Sequence, residues 1–169
     1  MYNYLKGKLV EKTPTYVVID VGGIGFMVNI SLTTYSKIKD QENIKLFTHF
    51  AVREDAHVLY GFSDINERLI FEKLITVSGV GANTARLILS SLTTDEAYDA
   101  IVQSKADVLQ GVKGIGGKTA QRIIIDLKDK VSLISENDQF IGNINHRFCC
   151  VISRAVPIHL QPTAIYQHH

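Results

Sequence analysis

Cysteine is scarce in this 169-residue chain, and the only two, Cys149 and Cys150, are neighbours. Adjacent thiols build no disulfide framework and lack the paired spacing of a zinc site, which fits a reducing cytoplasm. Long apolar runs are missing as well. No segment approaches the roughly 18 apolar residues that span a bilayer, and "MYNYLKGKLVEK" at the amino terminus has no apolar core behind a basic start. A soluble cytoplasmic protein with no membrane partner is expected. Neither charge is in excess: 18 Lys+Arg stand against 17 Asp+Glu, a formal net charge of +1. Any affinity for nucleic acid must therefore come from one local face. With 46% hydrophobic residues, the chain can still give one or two small domains their own cores.

The texture of what is present changes once along the chain. From Tyr2 to Phe62 it runs in short stretches rich in Val, Ile, Tyr and Phe: "YLKGKLVE", "TYVVIDV", "GFMVNIS", "NIKLFTHF" and "HVLYGF". Turn-forming residues at Thr13-Pro14, Gly22-Gly23 and Asp40-Gln41 separate them. Five strands are predicted, with a short helix over "LTTYSKI" between the third and fourth. That is the order of an OB-fold barrel, although a small sandwich shares the strand count. After Ser63 the spacing becomes helical, with apolar residues at Leu69, Ile70, Leu74 and Val77. Helices are predicted through "NTARLILSSL", "TDEAYDAIVQS", "KADVLQGV" and "KTAQRIIIDLKDKV". Thr94, before Asp95-Glu96, is the expected cap of one of them, and Ser104 a break. The fold class is α+β and multi-domain: a five-stranded barrel over 1–62, then an all-α domain over 63–131.

The helical part repeats itself. "LITVSGVGANTARLIL" and "LQGVKGIGGKTAQRII" align without gaps 35 residues apart, matching Leu74/Leu109, Val77/Val112, Gly79/Gly114, Gly81/Gly116, Thr84/Thr119, Ala85/Ala120 and Ile88/Ile123. The second copy contains Gly117-Lys118-Thr119, like the end of a nucleotide-binding P-loop. A P-loop needs a first glycine at position 112, which is Val112, and a strand before it, where "KADVLQGV" reads as helix. The first copy has no lysine at the matching place, so no nucleotide cofactor is expected. The alternative is helix, tight Gly-x-Gly turn, helix. Glycines allow positive φ and close backbone approach, and the first amides of the following helix lack internal partners and carry the positive end of its dipole. Such a turn cradles an anion. Val80 and Ile115 would point inward and pin the helix pairs. The spacing resembles the helix-hairpin-helix motif, which holds DNA by its phosphates without reading bases. Lys113, Lys118, Arg122, Lys128 and Lys130 gather on the second unit, with Lys118 and Arg122 one turn apart. A lysine in the first turn of a helix opposes the dipole, which suggests an external anion. A merely solvated, capped turn is the competing explanation.

Arg53-Glu54-Asp55-Ala56 falls at the tip of a predicted hairpin between two apolar strands. Acids there repel phosphate, so they serve solubility or restrict where DNA strands can lie.

Taken together, "YLKGKLVEK", "VIDVGGIGFMV", "FTHFAVREDAHVLYGF", "VSGVGANTARLILS" and "VKGIGGKTAQRIIIDLKDK", in that order, resemble the RuvA family of Holliday-junction branch-migration subunits over about residues 1 to 131. The resemblance implies an OB-fold, two helix-hairpin-helix units and a mobile third domain. It implies a homotetramer, or an octamer, that holds a four-way DNA junction open for a hexameric ATPase of RuvB type, with a RuvC-type resolvase as a further partner, in recombination, DNA repair and the SOS response. By the same resemblance, Glu54 and Asp55 are the acidic pin at the junction centre, with Arg53 beside them. Gly79, Gly81, Gly114 and Gly116 supply phosphate-binding amides, and Ser78, Asn83, Lys118, Thr119 and Arg122 are contact positions. Asn83 departs from the family, where a base is common, so the first hairpin is expected to grip less strongly than the second.

The resemblance ends near residue 131. "SENDQFIGNIN" fits a flexible linker over 132–145. The tail over 146–169, with Pro157 and Pro162 and no sustained helical period, does not fit the family's ATPase-binding helices. A replaced or out-of-frame tail would keep junction binding and lose ATPase coupling. His146, Cys149, Cys150 and His159 have irregular spacing for a metal, and none is expected. No nucleophile with a base, no metal cluster and no true P-loop is found, so the chain reads as a non-catalytic DNA-binding subunit. Two other classes stay open: the DNA anchor of a structure-selective nuclease or repair enzyme, and an OB-fold interaction scaffold.

Overall fold

A computed structural model of the chain describes residues 2–38, 42–54, 56–128 and 130. The expected linker over 132–145, the tail over 146–169 and the pin residue Asp55 lie outside the described residues. Five strands form where the β-branched and aromatic runs predict them: β1 (Tyr4–Lys12), β2 (Tyr16–Val21), β3 (Ile24–Ile30), β4 (Asn43–Val52) and β5 (His57–Phe62). The β2–β3 turn is Gly22-Gly23, both at positive φ, the left-handed pair that a two-residue hairpin requires. The strands close a barrel in the order β1-β2-β3-β5-β4, with β1 returning to β4 and only the β3–β5 pair parallel. Closure decides for the barrel over the sandwich. Alternate residues point inward, so Leu5, Val17, Ile19, Val28, Ile30, Ile44, Leu46 and Leu59 fill the interior.

Helix α1 (Leu32–Lys37) lies between β3 and β4, as expected. Then follow α2 (Ile65–Leu74), α3 (Ala82–Ser91), α4 (Thr94–Val102) and α5 (Ala106–Gln110), and a helix over 117–128, here α6. One buried cluster runs from Tyr60 and Phe62 of β5 through Phe71 and Leu74 of α2 to Ile88, Ile101 and Ile123. Phe62 and Phe71 meet with ring centroids 4.8 Å apart. This shared core, within one compact unit over Met1–Ser132, fixes the helices to the barrel. Among the described residues no helix is long and apolar enough to cross a membrane.

One expectation fails at a helix start. The cap of α4 is Thr93, not Thr94: its hydroxyl accepts from the Glu96 amide at 3.3 Å, and the Glu96 carboxylate accepts from the Thr93 amide at 2.8 Å. This reciprocal box needs Thr and Glu three apart, a spacing that was visible in "TTDE". Thr94 is instead the first helical residue. Thr93→Ala should lower stability by about 1 kcal/mol, read as a shift in the denaturant midpoint. The Thr93 amide, and after it the Thr93 hydroxyl donating at 2.9 Å, hold the Glu96 carboxyl below its ordinary value. Their contribution is therefore present above the ordinary glutamate range and lost as pH falls through the lowered value. Ser104, the expected break, adopts a left-handed φ of 58° just after α4.

Candidate nucleic-acid interface

The two glycine turns are built alike. In the first, Val77 N donates to Leu74 O (3.1 Å), Val80 N to Val77 O (3.0 Å) and Ala85 N to Gly81 O (2.9 Å). In the second, Val112 N donates to Leu109 O (3.2 Å), Ile115 N to Val112 O (3.1 Å) and Ala120 N to Gly116 O (3.0 Å). Gly79 and Gly114 sit at φ of 90° and 91°, conformations that residues with a Cβ rarely adopt. Val80 and Ile115 are buried, as predicted, so each turn is anchored from inside while its glycines face out.

Helices α1, α2 and α4 are capped by the side chains of Ser31, Asp64 and Thr93. Helix α3 differs. It begins on Gly81 with no side-chain cap and no acid in its first turn, which leaves its leading amides open to an outside acceptor. Ser78, Gly79, Gly81, Asn83, Gly114, Gly116, Lys118 and Arg122 are all exposed, and Thr119 is half-buried. A Cβ built on Gly81, Gly114 or Gly116 would meet nothing within 4 Å. Backbone amides and cationic side chains thus share one accessible surface, which suits a polyanion held by its phosphates. P-loop geometry is ruled out locally, because α5 and not a strand precedes the second turn.

The basic cluster on the second unit divides. Lys113 and Lys118 border the glycines, whereas Lys128 lies about 15 Å along α6 from Lys118 and donates to Ser104 Oγ at 3.0 Å. Arg122 reaches the other turn, donating through Nη1 to Ser78 O at 3.2 Å. It bridges the two hairpins as well as presenting charge. Asn83 likewise has a partner the sequence did not suggest, since Tyr60 OH in β5 donates to its Oδ1 at 3.2 Å. The only sequence signal at Asn83 is its departure from the base common in the family.

Arg53 and Glu54 are exposed at the β4–β5 hairpin, where Arg53 N donates to Ala56 O at 2.9 Å and Val52 pairs with His57. Among the described residues no three His, Cys, Asp or Glu side chains gather to hold a metal.

A buried carboxylate joins barrel to helices. Glu67 of α2 is fully buried; Ser31 Oγ and Thr34 Oγ1 both donate to it, the latter at 2.8 Å, and Thr34 Oγ1 in turn accepts from Ser63 N at 3.1 Å. Burial pushes its pKa up, against the two hydroxyl bonds and the nearby Lys37. Glu67 stands three, four and seven residues before Ile70, Phe71 and Leu74, so the helical spacing itself puts this glutamate on the buried stripe of α2.

Comparison with known proteins supports this architecture. Residues 1–61 match the model of the RuvA N terminal domain, and residues 71–129 match the SAM-like helix-hairpin-helix tandem. Three relatives carry the name Holliday junction branch migration complex subunit RuvA. That of Christiangramia forsetii is 52% identical over 146 residues, 86% of this chain and 76% of the relative. That of Bacteroides thetaiotaomicron is 54% identical over 131 residues, 78% of this chain and 65% of the relative. That of Flavobacterium psychrophilum is 51% identical over 139 residues, 82% of this chain and 72% of the relative. The chain therefore spans from just under two thirds to about three quarters of these relatives. With the closed five-stranded barrel, the repeated glycine turns and half of the aligned residues in common, this chain belongs to the RuvA family.

Proposed function

We propose that this chain binds four-way DNA junctions by sequence-independent phosphate contacts and holds them open for branch migration, as a non-catalytic cytoplasmic subunit. The observation that carries this reading is the pair of equivalently hydrogen-bonded turns whose glycines are exposed beside Lys113, Lys118 and Arg122. Gly79, Gly81, Gly114 and Gly116 bring the backbone to the phosphates; Ser78, Asn83, Lys118, Thr119 and Arg122 surround them. The Arg122 bond to Ser78 O holds the two grips at a set spacing. The carboxylates of Glu54 and Asp55, with Arg53 beside them in sequence, act as the acidic pin that repels strands at the junction centre. Four copies, or eight, enclose the junction. A separate RuvB-type ATPase supplies the energy, and a RuvC-type resolvase acts on the held junction.

The test is a gel shift comparing a synthetic four-way junction with linear duplex. The junction should be preferred, and its affinity should fall by orders of magnitude between about 50 and 200 mM salt, because each assembly neutralises several phosphates and releases their counterions on binding. Glu54→Lys should narrow the preference by drawing duplex in. Equal affinity for both DNAs in the unaltered chain, or a flat salt response, would overturn the reading.

A further inference from the structure

Between the 53–56 hairpin tip and the start of α3 lies a cleft of about 270 Å³, lined by Asn29, Ala51, Arg53, Ala56, Val58, Tyr60 and Asn83. Ala51 and Val58, cross-strand partners on β4 and β5, and Ala56 of the same hairpin supply its apolar side, within a lining that is otherwise polar. Two alanines leave room where larger side chains would close the gap. Tyr60 contributes only its hydroxyl, since its ring is buried against Phe71 at 5.1 Å.

The rim offers hydrogen bonds of both kinds. Tyr60 OH donates to Asn83 Oδ1 at 3.2 Å, which turns the amide nitrogen of Asn83 outward as a donor. Asn29 Nδ2 donates to Leu59 O at 3.4 Å, which leaves its oxygen as an acceptor. Among the described residues the lining carries no acid and includes Arg53, and Asn83 is the second residue of α3, whose uncapped amides are its positive end. A suitable occupant is flat, has mixed donors and acceptors on its edge, and is tethered to an anion. A bare phosphate would leave Ala51, Ala56 and Val58 uncovered. The volume sits just under the roughly 300 Å³ at which small-ligand pockets begin, enough for one ring system.

We propose that this cleft takes a single unpaired nucleobase from a DNA strand turned aside at the hairpin tip, its edge read by Asn29 and Asn83 and its phosphate directed to the start of α3. The proposal rests on the junction-binding reading above. A base parted at the crossover loses a few kcal/mol of stacking and pairing, and a seat beside the tip recovers part of it and so favours the open junction.

The experiment uses the full chain and a four-way junction with 4-thiothymine at the crossover, irradiated at long wavelength, with crosslinked peptides mapped by mass spectrometry. Crosslinks should fall within residues 51–60 or at Asn83. Ala51→Leu, which fills the apolar side without touching either glycine turn, should cut that yield at least about fivefold while gel-shift affinity stays within about threefold. Asn29→Ala, a smaller change that leaves the apolar side intact, should lower it in the same direction. Crosslinks confined to other residues, or both variants crosslinking like the unaltered chain, would overturn the proposal. Junction binding that persists in either case leaves the function reading standing. Absence of any junction shift in the unaltered chain removes both.

Discussion

Gly79→Val and Gly114→Val should each abolish tight junction binding while the barrel stays folded. Both glycines hold φ near +90°. A side chain there forces the backbone out of its conformation at a cost on the order of 1–3 kcal/mol. At Gly114 a Cβ would meet open space, so the cost is conformational and not a clash. The amides following the turn then lose their aim. Each charge-assisted bond to phosphate is worth about 1.5–3 kcal/mol, so losing one at a turn lowers affinity by about ten- to a hundredfold. Gly81→Ala separates the two effects, because Gly81 has φ of −83° and open space around it. No strain arises there, only stand-off from a surface that must be approached closely. Gly81→Ala should keep the unfolding midpoint and weaken gel-shift affinity several-fold. If it and Gly116→Ala both bind like the unaltered chain, the amides are not the grip.

The second large effect concerns stability. Glu67→Leu removes the acceptor for two buried hydroxyls, Ser31 and Thr34, at the join between the α1 start and α2. Leaving buried donors unpaired costs about 1–3 kcal/mol apiece, so a total of roughly 2–6 kcal/mol for the two and a fall in Tm of order 10 °C are expected. The pH dependence has a definite sign. Burial, the largest influence, raises the Glu67 pKa in the folded protein, so the folded state binds this proton more tightly than the unfolded chain. That contribution is complete below the ordinary glutamate value of 4.5 and is lost as pH rises through the raised one. The Tm difference between the unaltered chain and Glu67→Gln should therefore drift against the unaltered chain as pH rises across that window. A difference independent of pH would show that Glu67 titrates as an ordinary surface acid. Because Glu67 ties the barrel to the helices, Glu67→Leu should also separate their unfolding transitions.

Much of this was legible in the sequence because it depends on near neighbours. Alternation of apolar residues, the three-and-four spacing of helices and the Gly-x-Gly turns all act over a few positions, and the repeat 35 residues apart states the turn geometry twice. Burial of Val80 and Ile115 followed from the same local logic. The capping box at Thr93 is equally local: Thr94 adjoins the acids directly, but only Thr93 has Glu96 three residues on.

What tertiary structure alone decided involves partners distant in sequence. Closure of β1 onto β4, the Tyr60 hydroxyl at Asn83, the Arg122 bridge to Ser78 and the burial of Glu67 each join residues 20 or more positions apart. No periodicity encodes which strand edge meets which, or which hydroxyls meet the glutamate that the α2 stripe turns inside. Those choices are made when the apolar faces of barrel and helices exclude water together, and each polar group caught in that join must find its partner there or weaken the fold.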